Sequence, residues 1–171
     1  MSDFIHAPQH RHEALIPFSR DHYTGLKQAQ QLRKAADAND VTRRKAVAEF
    51  IDAWDQEIAE HFRDEERLLL DLMQEEDRAR MLREHERLTQ FARQLLHLRS
   101  NANPNPVLLK QIGEMLEKHI RWEERELFNC LQDQLDKEQL DALHQHTGVI
   151  ELARLRNVCQ DHGATSNKEP S

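Results

Sequence analysis

The chain has 171 residues and a formal net charge of -7, with 32% charged residues, 5% aromatic residues, four glycines and five prolines. This length suits one domain with a single core, and so few turn-forming residues exclude a many-stranded β fold. The negative charge makes nucleic acid and anionic membranes poor partners.

Helical periodicity predicts an all-α fold, an antiparallel up-down four-helix bundle followed by a shorter C-terminal fifth helix. Ser19 and Thr42 are the predicted N-caps of the first two helices, and the turn-rich sequence SNANPNP separates the third from the fourth. The polar ends predict a flexible tail over residues 1–13 and a disordered tail over residues 163–171, which leaves a bundle domain of residues 14–162. The five predicted helices cover residues 19–37, 42–73, 76–98, 106–131 and 136–159.

The inward-facing apolar stripe of each of the first four helices is interrupted by a histidine. In the second and fourth helices a glutamate follows that histidine four residues later, within the similar phrases HFRDEERLL and HIRWEEREL. A buried histidine or carboxylate without a partner is costly, so these groups must satisfy one another or a shared cation. The predicted metal ligands are His22, His61, Glu65, His85, His119 and Glu123.

The spacing of the paired ligands supports a metal site. Residues i and i+4 lie on one face of a helix, about 5–6 Å apart, so each His–Glu pair can aim a nitrogen and a carboxylate at one point. The donor order His, HxxxE, His, HxxxE makes the predicted site nearly two-fold symmetric. Ferritin-like bundles use the different spacing Glu-x-x-His, so the sequence disfavours that class.

This ordered set of motifs resembles the hemerythrin-like, or HHE cation-binding, family over residues from about 15 to 131. The resemblance implies a four-helix bundle with a non-haem di-iron centre, in which the four histidines are terminal ligands and Glu65 and Glu123 are bridges. Oxygen-carrying hemerythrins have a second histidine four residues after that of the third helix, where this chain has Thr89. The four-histidine, two-glutamate set looks more like the di-iron proteins linked to repair of iron centres damaged by nitric oxide and oxidants.

Imidazole and carboxylate donors suit iron or manganese, with zinc as an alternative. If two ions share both carboxylates, each has two histidines, two carboxylate oxygens and a bridging oxo or hydroxo group, and one position stays open. We therefore expect a di-iron protein that binds or responds to O2, NO or peroxide, in sensing, scavenging or iron-centre repair. Two alternatives stay open: an enzyme that turns over peroxide or nitric oxide, and an iron or zinc store or structurally metallated bundle.

The residues one turn from the predicted ligands indicate an apolar wall that excludes water and admits small uncharged ligands. Gly25, on the inner stripe of the first helix, either leaves room for such a ligand or lets two helices approach closely. We interpret Glu66 and Glu124 as residues of solvated faces. The predicted wall consists of Leu26, Trp54, Ile58, Leu88, Ile112 and Met115. The histidines to which no metal role is assigned are His6, His10, His12, His97, His144 and His146.

The remaining features concern compartment and partners. Cys130 and Cys159 show no CxxC spacing, and no stretch approaches the ~18 consecutive apolar residues of a membrane span. We therefore expect a cytoplasmic protein with no disulfide framework and no membrane partner. Its expected partner is a small diatomic ligand or peroxide, and the sequence leaves open a homodimer and the role of the fifth helix.

Overall fold

A computed structural model describes the backbone of residues 10–98 and 103–161, and the side chains up to residue 155. Within these ranges the chain forms helices and helical turns and no strand, so the all-α prediction is confirmed. Most of the two predicted tails lies outside the described residues. The helices are α1 (Ile16–Ala36), α2 (Asp40–Ala53), α3 (Ala59–Leu69), α4 (Glu75–Leu98), α5 (Pro106–Trp122), α6 (Phe128–Gln134) and α7 (Lys137–Asp161).

Two pairs of helices are joined end to end by single π turns. Trp54–Ile58 joins α2 to α3, and Glu123–Leu127 joins α5 to α6. The buried residues Glu123, Leu127 and Leu131 follow one another in steps of four, and each such step overshoots a 3.6-residue turn by about 40°. The hydrogen bonds of a π turn span one residue more than those of an α-helix, so a turn contains more residues. The extra residue compensates for the rotation and keeps the buried stripe facing the bundle interior. The predicted four-helix bundle thus consists of four rods, which are α1, α2–α3, α4 and α5–α6.

The helix ends follow local capping chemistry, and both predicted N-caps were wrong. α1 begins at Ile16, because Pro17 suits the first turn of a helix, and Ser19 lies inside it. Asn39 caps α2, since its Oδ1 accepts a hydrogen bond from the N–H of Thr42 at 2.9 Å. The predicted fifth helix is present as α7, which has 25 residues. It is longer than α1 and α4 and shorter than the two composite rods, α2–α3 and α5–α6.

The buried apolar side chains form two clusters with a polar layer between them. Along α1, His22 lies between Phe18 of one cluster and Ala29 of the other, and along α4 His85 is placed in the same way. The residues of the predicted wall belong to the larger cluster, which confirms that they form an apolar layer. Its members Trp54, Ile58, Leu88 and Ile112 are buried in this cluster, and Leu26 and Met115 pack against it.

Two glycines let α1 and α5 approach closely. A Cβ atom at Gly25 would lie 2.6 Å from Cδ1 of Ile120, and one at Gly113 would lie 2.6 Å from the carbonyl oxygen of Ala29. Contacts this short mean that any larger side chain would push a neighbour aside. For Gly25, the contact supports its predicted role in the close approach of helices, while its place in the lining of a small cavity beside His22 supports the other predicted role, which is room for a small ligand.

α7 packs outside the four-rod bundle. Its Leu143 is buried in the smaller apolar cluster, together with residues of the 3-10 turn Glu13–Leu15 that precedes α1. Farther along α7, Glu151 and Arg154 form ion pairs with side chains of α1. None of the described helices is both long enough and apolar enough to span a membrane.

Candidate metal centre

All four rods of the bundle contribute to one buried cluster of histidine and glutamate side chains. The structure brings together the six ligands that the sequence predicts, and each of them is at most 5% exposed. Their shared depth follows from the inward stripes on which they lie. They come from α1 (His22), α3 (His61 and Glu65), α4 (His85), α5 (His119) and the following π turn (Glu123).

The six side chains form two overlapping groups, and in each group the donor atoms lie within 4.8 Å of one another. Both glutamates belong to both groups, while each histidine belongs to one. The arrangement therefore has the near two-fold symmetry that the order of the motifs predicts. Subsite 1 comprises His22, His61, Glu65 and Glu123, and subsite 2 comprises His85, His119, Glu65 and Glu123.

In subsite 1 the Nε2 atoms of both histidines face carboxylate oxygens. Nε2 of His61 lies 3.1 Å from Oε1 of Glu65. Nε2 of His22 lies 3.2 Å from Oε2 of Glu123 and 3.6 Å from Oε1 of Glu65. Two nitrogens and two oxygens thus converge on one point.

Subsite 2 uses the remaining carboxylate oxygens. Nε2 of His119 lies 3.1 Å from Oε1 of Glu123, and Nε2 of His85 lies 3.4 Å from Oε2 of Glu65. Each carboxylate therefore turns one oxygen towards each subsite. This is the orientation that a bridging carboxylate needs between two cations.

Of the eight donor atoms, Nε2 of His85 and Nε2 of His119 lie 3.1 Å from each other, and the other six have no hydrogen-bond partner among the described residues. Both oxygens of Glu65, both oxygens of Glu123, and Nε2 of His22 and of His61 are buried without a hydrogen bond. Each buried polar group left in this state costs about 1–3 kcal/mol, and more if it is charged. A cation in each subsite would satisfy these atoms, and nitrogen and carboxylate donors suit iron, manganese or zinc. The residues present therefore fit the predicted metal.

Outside subsite 1, each histidine donates a hydrogen bond from Nδ1 to a carboxylate on another helix. Nδ1 of His22 lies 2.6 Å from Oε1 of Glu124, and Nδ1 of His61 lies 3.1 Å from Oδ2 of Asp21. A carboxylate only accepts hydrogen bonds, so each ring carries a proton on Nδ1, and when the ring is neutral its Nε2 lone pair faces the site. Such outer carboxylates orient a histidine and make it a better ligand.

Subsite 2 repeats the pattern. Nδ1 of His85 lies 2.8 Å from Oε1 of Glu66, and Nδ1 of His119 lies 2.8 Å from Oε2 of Glu84. The interpretation of Glu66 and Glu124 as members of solvated faces was therefore wrong. Both are partly exposed, yet each holds a histidine of the cluster in place.

Aromatic rings lie against the histidines. The ring of Phe62 is stacked on His85 with centroids 3.9 Å apart and planes 3° apart. Phe128 lies parallel to His22 with centroids 5.6 Å apart and planes 9° apart. These rings restrict rotation of the imidazoles and exclude water from them. The helical stripes do not predict a role for either ring, because both phenylalanines lie beside the stripe that carries the ligands and not on it.

The charges within the cluster favour ionised glutamates and protonated histidines. Burial raises the pKa of Glu65 and Glu123, but the adjacent histidines outweigh it, and the net pKa of both is lowered. Burial lowers the pKa of each of the four histidines, but the adjacent carboxylates outweigh it and raise the pKa above 6.5. Protons and a cation compete for the same nitrogens, so cation binding would release protons.

A narrow cavity of about 10 Å³ reaches His22 and His61 of subsite 1. This is about the space that one water molecule needs. Its lining is mostly apolar, with Asp21 and Glu57 as the other polar side chains. The apolar residues that line it are Gly25, Ile58, Phe62, Leu116 and Ile120.

The other described histidines do not join the cluster. His97, His144 and His146 are exposed, and neither donor group includes them. His12 has a local role, since its Nδ1 accepts a hydrogen bond from the N–H of Ala14 at 3.2 Å. His6 lies outside the described residues.

An antiparallel helical bundle with a buried centre of histidine and carboxylate side chains is typical of cation-binding helical domains. The chain matches the hemerythrin HHE cation binding domain over residues 18–131. Since this match covers most of the chain, the protein belongs to the hemerythrin HHE cation-binding family. All six predicted ligands lie in the matched segment, whereas the turn Glu13–Leu15 and α7 lie outside it. Comparisons with curated proteins and with solved structures give no match.

Proposed function

We propose that this protein is a non-haem di-iron protein of hemerythrin-like type that binds or responds to O2, NO or peroxide. One iron ion would occupy each subsite, and Glu65 and Glu123 would bridge them. One observation carries the proposal. Each of these two buried carboxylates turns one unpaired oxygen towards the histidines of subsite 1 and the other towards those of subsite 2.

The donor set supports iron as the metal. Each subsite offers two imidazole nitrogens and two carboxylate oxygens, which suit iron or manganese, while neither donor group includes a cysteine that would favour a soft metal. Iron bound there supplies a redox-active Lewis acid that small oxidants and nitric oxide can reach. Manganese and zinc are the alternatives that metal analysis would separate.

The surroundings of the site support a small ligand. The cavity beside His22 and His61 has room for a molecule about the size of water. The larger apolar cluster forms one side of the polar layer, so its side chains exclude bulk water and disfavour charged ligands. Phe62 and Phe128 hold their histidines in fixed orientations, which keeps the Nε2 atoms aimed at the subsites. We propose that the protein uses this selectivity in sensing, scavenging or iron-centre repair under oxidative or nitrosative stress.

The experiment that tests the metal centre is metal analysis of protein purified without an affinity tag or added metal. We expect about two iron atoms per chain in the wild type. His61→Ala and His119→Ala each remove one ligand from one subsite and should lower that content. His97→Ala is the matched control, because His97 is exposed and far from either donor group in sequence. Full iron content in both ligand variants, or a single zinc in the wild type, would refute the dinuclear site.

The second test separates a ligand-binding protein from its alternatives. The reduced, iron-loaded protein is exposed in turn to O2, NO and peroxide while its absorption spectrum is followed. A spectral change with one equivalent supports the proposed binding. Continued consumption of peroxide or nitric oxide in the steady state would indicate an enzyme. A loaded protein that responds to none of the three would be a cation store or a structurally metallated bundle.

A further inference from the structure

Two arginines reach the outer carboxylates of subsite 1 from segments that flank the bundle. Nη2 of Arg11 lies 3.1 Å from Oε2 of Glu124, whose other oxygen accepts the hydrogen bond from His22. The same Nη2 donates to the backbone carbonyl of Glu124 at 2.6 Å. Nη1 of Arg11 also donates to Asn129 at 2.9 Å and to Gln132 at 3.5 Å, so the guanidinium is held by four hydrogen bonds.

Arg154 of α7 holds the second outer carboxylate. Its Nη1 pairs with Oδ2 of Asp21, the atom that accepts the hydrogen bond from Nδ1 of His61. Its Nη2 donates to Oδ2 of Asp64 at 3.0 Å. The guanidinium thus joins α1 to α3 next to His61, in a fork that only arginine can form.

The two segments that supply these arginines also pack on each other. Leu143 of α7 lies in the same buried cluster as Ala14 and Leu15, which follow Arg11 closely along the chain. We call residues 10–15 together with α7 the terminal clasp. Both parts of the terminal clasp lie outside the segment of residues 18–131 that matches the family domain.

Within the described residues, subsite 2 has no comparable connection. Glu84, which accepts from His119, pairs with Arg80 of its own helix α4 at 2.9 Å. Glu66, which accepts from His85, pairs with no arginine in the described part of the chain. Arg11 and Arg154 of the terminal clasp therefore reach one subsite of an otherwise nearly symmetric pair.

We propose that Arg11 and Arg154 are positioning residues for subsite 1 alone, so that the cation affinity of subsite 1 depends on the terminal clasp and that of subsite 2 does not. Arg11 acts through Glu124 on His22, and Arg154 acts through Asp21 on His61. The inference rests on the proposed dinuclear centre. Its physical basis is that a carboxylate orients an imidazole only as well as the carboxylate is itself held.

The test is a titration of the metal-free full chain with Co²⁺ alone, in competition with a chelator and read from the visible absorption of the bound ion. The wild type should take up two Co²⁺ ions. Arg154→Met should weaken one of the two binding events by about tenfold and leave the other unchanged, since loss of outer partners costs roughly 10–100-fold in affinity. Arg11→Met should weaken the same event.

The control variant is Arg20→Met. Arg20 forms another ion pair between α1 and α7, with Glu151, and its described contacts include no carboxylate that holds a histidine. It should leave both binding events unchanged. Arg154→Lys keeps the charge but cannot hold Asp21 and Asp64 together. Its Co²⁺ affinity in the weakened binding event should therefore lie between those of the wild type and of Arg154→Met. Thermal unfolding of the metal-free variants checks that each is folded at the titration temperature.

A second background assigns the affected event to its subsite. In His61→Ala, which disables subsite 1, adding Arg154→Met should have no further effect on the remaining Co²⁺ affinity. An equal loss at both subsites, no loss at either, or a further loss in the His61→Ala background would overturn the role of the terminal clasp while the dinuclear centre stands. Uptake of fewer than two Co²⁺ ions by the wild type would refute the dinuclear centre and this inference together.

Discussion

Nε2 of His85 and Nε2 of His119 lie 3.1 Å apart, within hydrogen-bonding distance. Each ring donates a hydrogen bond from Nδ1 to a carboxylate. If both rings were neutral, their two Nε2 lone pairs would therefore meet at this distance. A proton or a cation must lie there instead. Two imidazole nitrogens bound to one cation at about 2.1 Å and at about a right angle are about 3 Å apart, which this pair satisfies.

The first prediction concerns the pH dependence of the metal-free protein. The pKa of His85 and of His119 is raised above 6.5 in the folded state, so their stabilising contribution is complete below about pH 6.5 and is lost as pH rises through the folded pKa. The lowered pKa of Glu123 adds stability above pH 4.5 that is lost only in stronger acid. The free energy of unfolding of chelator-treated protein should therefore fall as the pH rises above about 6.5.

The iron-loaded protein should show the opposite trend over that range, because fewer protons then compete with the metal for Nε2. Urea unfolding at several pH values measures both forms. A metal-free protein whose stability rises towards pH 9 would contradict the assignment of protonated histidines.

The second prediction concerns the outer carboxylate of His119. Glu84→Gln removes the charge that Nδ1 of His119 faces while keeping the size of the side chain. Metal affinity at subsite 2 should fall roughly 10–100-fold, as measured by competition with a chelator. Glu86→Gln is the control, since Glu86 lies on the same helix but is exposed and accepts from Gln90 at 2.9 Å. Equal effects of the two changes would argue for a general charge effect.

The third prediction concerns the ring stacked on His85. Phe62→Leu removes that stacking from a buried position and should lower the free energy of unfolding by about 1–2 kcal/mol. It should also shift the absorption spectrum of the loaded centre, because His85 then gains rotational freedom. Phe91→Leu, in the same apolar cluster but with no histidine against its ring in the described contacts, should lower stability similarly and leave the spectrum as it is. Identical spectra for both variants would show that Phe62 only fills space.

The fourth prediction compares two glycines within helices. Gly148→Ala should raise the free energy of unfolding by about 0.5–1 kcal/mol, since alanine favours a helix and a Cβ there meets nothing within 4 Å. Gly113→Ala should lower it by about 1–3 kcal/mol, since the new atom would press on the backbone oxygen of Ala29. Thermal or urea unfolding of both variants checks this. A stabilising Gly113→Ala would mean that α1 and α5 can separate without cost.

The sequence predicted the six clustered donors because a spacing of four residues fixes which side chains share a helix face. It did not predict the outer carboxylates, although each of them adjoins a ligand in sequence. Asp21 precedes His22 but serves His61, and Glu124 follows Glu123 but serves His22. Consecutive residues point about 100° apart on a helix, so a neighbour of a ligand faces the adjacent helix. The histidine that an outer carboxylate contacts therefore depends on how the helices pack, and this cannot be predicted from the sequence of one helix.

The π turns were missed for a related reason. A stripe with repeated steps of four, such as Glu123, Leu127 and Leu131, is also compatible with a regular helix whose apolar face is broad. Whether the chain forms a π turn or a regular helix depends on how much the stripe can rotate away from the interior. The neighbouring rods set that limit. Once the structure shows the rods, the repeated steps of four are a usable signal.

The burial of the polar layer has a kinetic consequence. None of the six donors is more than 5% exposed, and apolar clusters lie on both sides of them. The opening beside subsite 1 admits a molecule about the size of water and no chelator. An ion held there would leave only when the rods separate, so its residence time would follow the opening rate of the bundle and not the strength of its bonds.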